Sequence, residues 1–137
     1  MIGVLIVTHS RLGEALIEAA EFILGHKPDK FEPVSIDINE SAEKLRLKIK
    51  NGIKRVSSED GVLILTDMFG GTPSNLSYAF LEEGKIEVLS GVNLPILIKA
   101  SDLRNKTNLA ELAERLEAFG KKSISMASSI LKGNKRE

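Results

Sequence analysis

The sequence predicts an α/β domain of the doubly wound kind, a mainly parallel sheet with helices on both faces. Three observations carry this. Short, β-branched apolar runs alternate with longer segments whose apolar residues recur at helical spacing. One run, Gly61-Val62-Leu63-Ile64-Leu65-Thr66, is apolar on both faces, as a central parallel strand covered by helices must be. Cap and turn residues separate the segments. With 137 residues and no internal repeat or linker, the chain reads as a single domain spanning 1–137.

The first strand, Ile2 to Thr8, is too short and too β-branched to be a helix. A helix follows, in which Leu12, Ala15, Leu16, Ala19, Ala20 and Ile23 share a face, with Ser10 as its cap and Gly25 as its end. The second unit pairs a strand, Phe31 to Ile38, with a helix from about Ser41 that carries Leu45, Leu47, Ile49 and Ile53; Asn39 or Ser41 caps it. The third strand delivers Asp67 at its carboxyl end. A glycine turn and a short helix, Pro73 to Leu81, come next, with proline in the first turn. The strand Ile86 to Ser90, an apolar helix from Pro95 through Leu103, and a helix from Leu109 to Phe119 capped by Asn108 complete the alternation. The tail fits two patterns: Ile124 and Met126 alternate with serines as in an edge strand, whereas Leu116, Phe119, Ser123, Ala127 and Ile130 continue a helix.

Composition removes several functional classes. Nineteen basic residues balance nineteen acidic ones, and the basic clusters, Lys44 to Lys54 and Lys132 to Arg136, are short. There is no basic stripe and no aromatic stacking platform, so nucleic acid is not an expected partner. No apolar run has membrane length, and Met1 to Val7 lack a basic leader and cleavage site, so a soluble, cytosolic protein is expected. The absence of cysteine excludes disulfides and thiolate chemistry. Two histidines without HxxxH or HxH spacing argue against a metal site, and no GxxxxGK[ST] or GxGxxG loop follows a strand, so neither metal nor nucleotide is expected.

In an open parallel sheet the ligand site lies beyond the carboxyl ends of the strands, where the strand order reverses. Strand one ends in Thr8-His9-Ser10-Arg11, and strand three in Thr66-Asp67-Met68-Phe69-Gly70-Gly71-Thr72-Pro73-Ser74-Asn75. If these strands are neighbours, His9 and Asp67 share a rim. The carboxylate can then accept from Nδ1–H and leave Nε2 as an outward nucleophile. Gly70, Gly71 and Thr72, ahead of a proline-started helix, offer close backbone approach and N–H donors for a phosphoryl group, with the hydroxyls of Thr72 and Ser74 as further donors. Plainer readings exist: a histidine after a strand is often a solvated loop residue, and a glycine pair can simply tighten a turn. Arg11 reads as a solvated first-turn residue or a contact for an acidic group, and His26 as a loop histidine without a role.

Gly3-Val4-Leu5-Ile6-Val7-Thr8-His9, the Leu65 to Asn75 segment and Gly91-Val92-Asn93-Leu94-Pro95 together resemble the IIA domain of the mannose family of bacterial sugar phosphotransferase systems. The resemblance runs nearly the whole chain. It implies that His9 is the phosphorylated histidine, that Asp67 is its carboxylate partner, and that Gly70 to Ser74 lie at the phosphoryl site. It also implies that the small carrier protein HPr donates the group, that a IIB component accepts it during sugar uptake, and that no metal or nucleotide takes part. Members are homodimers with an antiparallel edge strand exchanged between subunits, and they reach the membrane only indirectly, through the transporter complex. Many members have glycine where this chain has Ser10, which bears on partner choice more than on chemistry. The chain stops near Glu137 without a IIB domain, so a separate IIB protein is expected. The phosphotransfer subunit of dihydroxyacetone kinase shares the fold and a histidine after strand one, and a regulatory module that senses phosphorylation is a further alternative. The sugar is not readable from a domain that touches only a phosphoryl group.

Overall fold

The computed structural model describes residues 1–132. Its elements are β1 (Gly3–His9), α1 (Leu12–Leu24), β2 (Phe31–Ile36), α2 (Ala42–Val56), β3 (Val62–Thr66), α3 (Thr72–Tyr78), β4 (Ile86–Ser90), α4 (Leu94–Leu103), α5 (Leu109–Lys122) and α6 (Ala127–Leu131). The four strands are all parallel, in the order β2-β1-β3-β4. The chain therefore moves outward from β1 to β2 and returns past β1 to β3, so the order reverses between β1 and β3.

Side chains of β1 and β3 alternate between two cores, the consequence of a two-residue repeat in strands covered on both sides. Val4, Ile6, Leu63 and Leu65 pack with Ile17, Leu97, Leu112 and Leu116 from α1, α4 and α5. Leu5, Val7, Val62 and Ile64 pack on the other face with Leu45, Ile49 and Val56 from α2, with Leu76 of α3 beside them. Burying each such side chain contributes about 1.5–3 kcal/mol, and the two layers together hold the rim of β1 and β3 rigid.

Several local expectations change. Ser10 does not cap α1: its φ is 51°, a left-handed bend instead of the extended cap conformation, and the Gly13 N–H goes to Thr8 Oγ1 at 2.8 Å. Arg11 occupies the cap position without a side-chain bond. Gly25 does end the helix, donating to Glu21 O. The buried face of α1 is Gly13, Ile17 and Ala20, so Leu12, Ala15 and Ile23 of the expected stripe lie exposed. In α2 the cap is Ser41, which accepts from Lys44 N–H at 3.2 Å, and Leu47 points outward. β2 stops at Ile36 and α3 at Tyr78, both short of their expected ends. Asn93, capping Ile96 N–H, starts α4 one residue before Pro95, and α5 runs to Lys122.

The tail is helical but interrupted: the helix breaks after Lys122 and resumes at Ala127. Ser123 closes α5, with its hydroxyl on Gly120 O, and the short helix α6 follows among the described residues, preceded by exposed Ile124 and Met126 and ending on exposed Leu131. No antiparallel strand is present among the described residues; one isolated antiparallel bridge joins Glu82 and Ile86.

Candidate active site

Because β1 and β3 are adjacent and parallel, their carboxyl ends bring His9 and Asp67 together across 58 residues of sequence. His9 Nδ1 lies 2.8 Å from Asp67 Oδ2, and the backbone N–H of His9 donates to the same oxygen at 2.9 Å. Asp67 Oδ1 accepts from Met68 N–H at 3.0 Å. Two backbone donors thus hold the carboxylate in place whatever the state of the ring. A carboxylate facing Nδ1 assigns the proton to that nitrogen and leaves the Nε2 lone pair free.

The two side chains differ in exposure as these roles require: that of His9 is 39% exposed, that of Asp67 only 10%. Burial pushes the Asp67 carboxyl upward, but the His9 backbone N–H, the ring hydrogen bond and the ring's charge outweigh it and hold the group below its ordinary value. It is therefore an anion at neutral pH.

The turn after Asp67 abuts the imidazole. Gly70 has a φ of 83°, which a side chain disfavours, and Gly71 is extended and opens α3. A Cβ on Gly71 would stand 2.8 Å from His9 Cε1 and 3.4 Å from Nε2, so glycine is what allows backbone against the ring edge. Thr72, half-buried, is the first residue of α3, and no side chain caps that helix. Ser74 is placed differently from its expected role as a donor at the open rim. It is fully buried, with Oγ donating to Met68 O at 2.5 Å and paired with Thr66 Oγ1 at 2.6 Å. The hydroxyl is consumed in closing the turn from beneath.

On the other side of His9 a cleft of about 570 Å³ runs toward the end of β2, bounded by Ser10, Ile36, Asp37, Ile38 and Lys48. Lys48 Nζ is held by Ser35 O at 3.2 Å and Glu40 at 2.6 Å. Sequence reasoning passed over this wall, although the end of β2 lies on the same rim of a parallel sheet. Ser10 donates its N–H to Ile36 O at 3.0 Å, tying the β1 end to β2. Arg11 is 81% exposed and engaged with Glu14 at 3.2 Å. His26 is exposed and near only Leu24 O, remote in the chain from the pair. Among the described residues there is no group of three or more acidic, histidine or cysteine side chains that could hold a metal, and no helix long and apolar enough to cross a membrane.

Comparison with known proteins shows the family of the chain. Residues 3–117 match the family model described as the PTS system fructose IIA component. The fructose-specific EIIA component of Bacillus subtilis is 33% identical over 132 residues, which is 96% of this chain and 90% of that protein. The sorbose-specific EIIA component of Lacticaseibacillus casei is 28% identical over 98% of this chain and 96% of its own length. Among solved structures, the phosphotransferase system component EIIA of Streptococcus agalactiae superposes with a TM-score of 0.83 at 27% identity, covering 94% of this chain and 99% of that one. The chain belongs to the mannose-type family of IIA components of the bacterial phosphotransferase system.

Proposed function

We propose that this protein is a phosphoryl carrier that takes the group from the phosphohistidine of HPr onto His9 Nε2 and passes it to a IIB component during sugar uptake. The observation that carries this is the His9–Asp67 pair: a carboxylate on Nδ1 leaves a neutral imidazole with its other nitrogen unprotonated at an open rim. In the first step the lone pair of Nε2 forms a P–N bond as the P–N bond of the donor breaks, and the donor ring leaves with that electron pair. The Nδ1 proton stays in place, and the ring acquires positive charge, which the Asp67 anion offsets across 2.8 Å. The second step is the same exchange toward IIB. Transfer of this kind requires positioning and charge stabilisation more than covalent help, and rigid strand ends supply the first.

In this reading Gly70, Gly71 and Thr72 line the side of the ring from which a phosphoryl group is met, and Ser74 braces that turn. No metal, nucleotide or other cofactor takes part, and the setting is the cytosol, where HPr is met.

We also read the protein as a homodimer joined at β4. The two sheet edges are unequal. β2 carries Pro33, which has no N–H, and its Glu32 is tied to Lys27 at 3.4 Å and Arg55 at 3.7 Å, devices that block strand addition. β4 is covered only at its start, where Ile86 exchanges backbone hydrogen bonds with Glu82 at 2.8 and 3.1 Å; farther along, its Val88 N–H is met by the neighbouring Glu87 carboxylate at 2.9 Å. A cleft of about 520 Å³ beside it is lined by Phe69, Tyr78, Leu89, Ile96 and Ile124. The exposed segment around Ile124 and Met126 is the part of the chain available to cover that edge in a partner.

Incubation with phosphoenolpyruvate, enzyme I and HPr, followed by mass mapping of the modified residue, tests the carrier reading; sedimentation at micromolar concentration tests the dimer.

A further inference from the structure

Helix α1 is apolar on more than the face it needs. Of its 13 residues nine are Ala, Leu, Ile or Phe, yet it buries only Gly13, Ile17 and Ala20. On the outside, Phe22 is 89% exposed and Ile23 55% exposed, and Ala15 and Ala19, one turn apart, form a shallow floor beside them. These residues and Glu18 bound a trough of about 600 Å³. A helix that is apolar nearly all round is ordinarily covered on both sides, and a contiguous exposed apolar strip marks an interaction surface.

The charges around the strip say what can cover it. Glu14, Glu18 and Glu21 are the charged residues of α1, and no basic residue lies in its last turn. Glu14 is occupied by Ser35 at 2.8 Å and Arg11 at 3.2 Å, while Glu18 and Glu21 have no ion-pair partner among the described residues. A second copy packed helix to helix about a two-fold axis would set Glu18 and Glu21 against their own equivalents with no cation between them, which disfavours self-pairing. An anionic lipid surface is disfavoured for the same reason.

We infer that the outer face of α1, from Ala15 to Ile23, docks an amphipathic helix of another protein whose apolar ridge is flanked by Lys or Arg. The small floor of Ala15 and Ala19 admits a ridge of larger side chains, Phe22 and Ile23 stand on either side of it in the last turn, and Glu18 and Glu21 receive the cations along one flank. The face lies on the outside of the layer that covers one side of the sheet, and it stands independently of the carrier reading, since it uses neither His9 nor Asp67.

The test uses an 18-residue helical peptide of leucine and lysine, its leucine and glutamate counterpart, and phosphatidylcholine vesicles with and without phosphatidylglycerol. Isotope-labelled protein is titrated and followed by amide shifts. The Leu-Lys peptide is expected to bind saturably with shifts concentrated on α1, while the Leu-Glu peptide and both vesicles do not bind. Phe22→Asp adds a carboxylate, so simple charge attraction would strengthen peptide binding, whereas loss of an apolar anchor weakens it, here by about tenfold or more. Glu18→Lys is expected to weaken it as well, and both variants are exposed changes that leave the fold intact. Shifts spread over the whole surface, equal binding of the Leu-Glu peptide, vesicle binding, unchanged or tighter binding by Phe22→Asp, or a change of native mass in that variant would each overturn the inference.

Discussion

The backbone N–H and the ring Nδ1 of His9 both bond to one oxygen of Asp67, at 2.9 and 2.8 Å. The carboxylate is thus anchored by the main chain and at the same time orients the imidazole. This makes Asp67 a positioning residue whose charge matters most once Nε2 carries a phosphoryl group and the ring is cationic.

Asp67→Asn is expected to fold normally and to transfer poorly. An amide can accept from the two N–H groups but lacks the charge, and it can turn its NH2 toward Nδ1 and favour the wrong tautomer. Losing one charge-assisted hydrogen bond of about 1.5–3 kcal/mol slows transfer by roughly ten- to a hundredfold. Single-turnover transfer from phosphorylated HPr measures this, with circular dichroism as the folding control.

The same carboxyl makes a pH-dependent contribution to stability. Its folded value is held below the ordinary 3.8, so the native state favours the anion and the contribution is complete above the ordinary value. It declines as pH falls through the ordinary value toward the lower folded one. Urea unfolding at several pH values is therefore expected to show the wild-type advantage over Asp67→Asn constant above about pH 5 and shrinking steadily at more acidic pH. An advantage that grew on acidification would mean that the carboxyl is protonated in the native state.

Gly71→Ala tests the close approach of backbone to ring. Its Cβ would lie 2.8 Å from His9 Cε1, closer than an ordinary contact, so the imidazole that is bonded to Asp67 has to move. The expected result is a loss of about ten- to a hundredfold in transfer rate, the scale of a misplacement near 1 Å, with little change in melting temperature. A wild-type rate would show that the ring has room the structure does not give it.

Ser10 follows the histidine with a φ of 51°. Glycine tolerates this bend, whereas serine is strained by about 1 kcal/mol. Ser10→Gly is expected to leave stability unchanged or raise it by up to about 1 kcal/mol. Ser10→Val, β-branched and poorly suited to this region, is expected to lower it by about 1–2 kcal/mol. Thermal unfolding of the two variants beside wild type decides; a fully stable valine variant would mean that the bend is not held at this position.

The His9–Asp67 pair is legible in the sequence because it follows from topology. A run apolar on both faces marks β3 as central, a reversal after β2 makes β1 its neighbour, and both carboxyl ends then meet at one rim. What depends on side-chain orientation is not legible in this way. A serine in the first turn of a helix reads the same whether its hydroxyl faces a ligand or, as at Ser74, the carbonyl of Met68 beneath. The approach of Gly71 to the ring depends on where the imidazole stands, which residue spacing does not state. In α1 two apolar stripes overlap, and helical period alone does not tell which meets the sheet; Ile17 does, and Leu12 and Ile23 do not. The tail carries a real conflict of periods, and it resolves as helix interrupted between Ser123 and Met126, with Ile124 and Met126 exposed in the break.

The most direct measurement is phosphorylation of the intact protein with phosphoenolpyruvate, enzyme I and HPr, with the modified residue located by mass mapping in wild type, His9→Ala and His26→Ala. The expected result is one phosphoryl group per chain on His9, no label in His9→Ala, and full label in His26→Ala. Undiminished labelling of His9→Ala, or label found on His26, would contradict the assignment of His9 as the carrier.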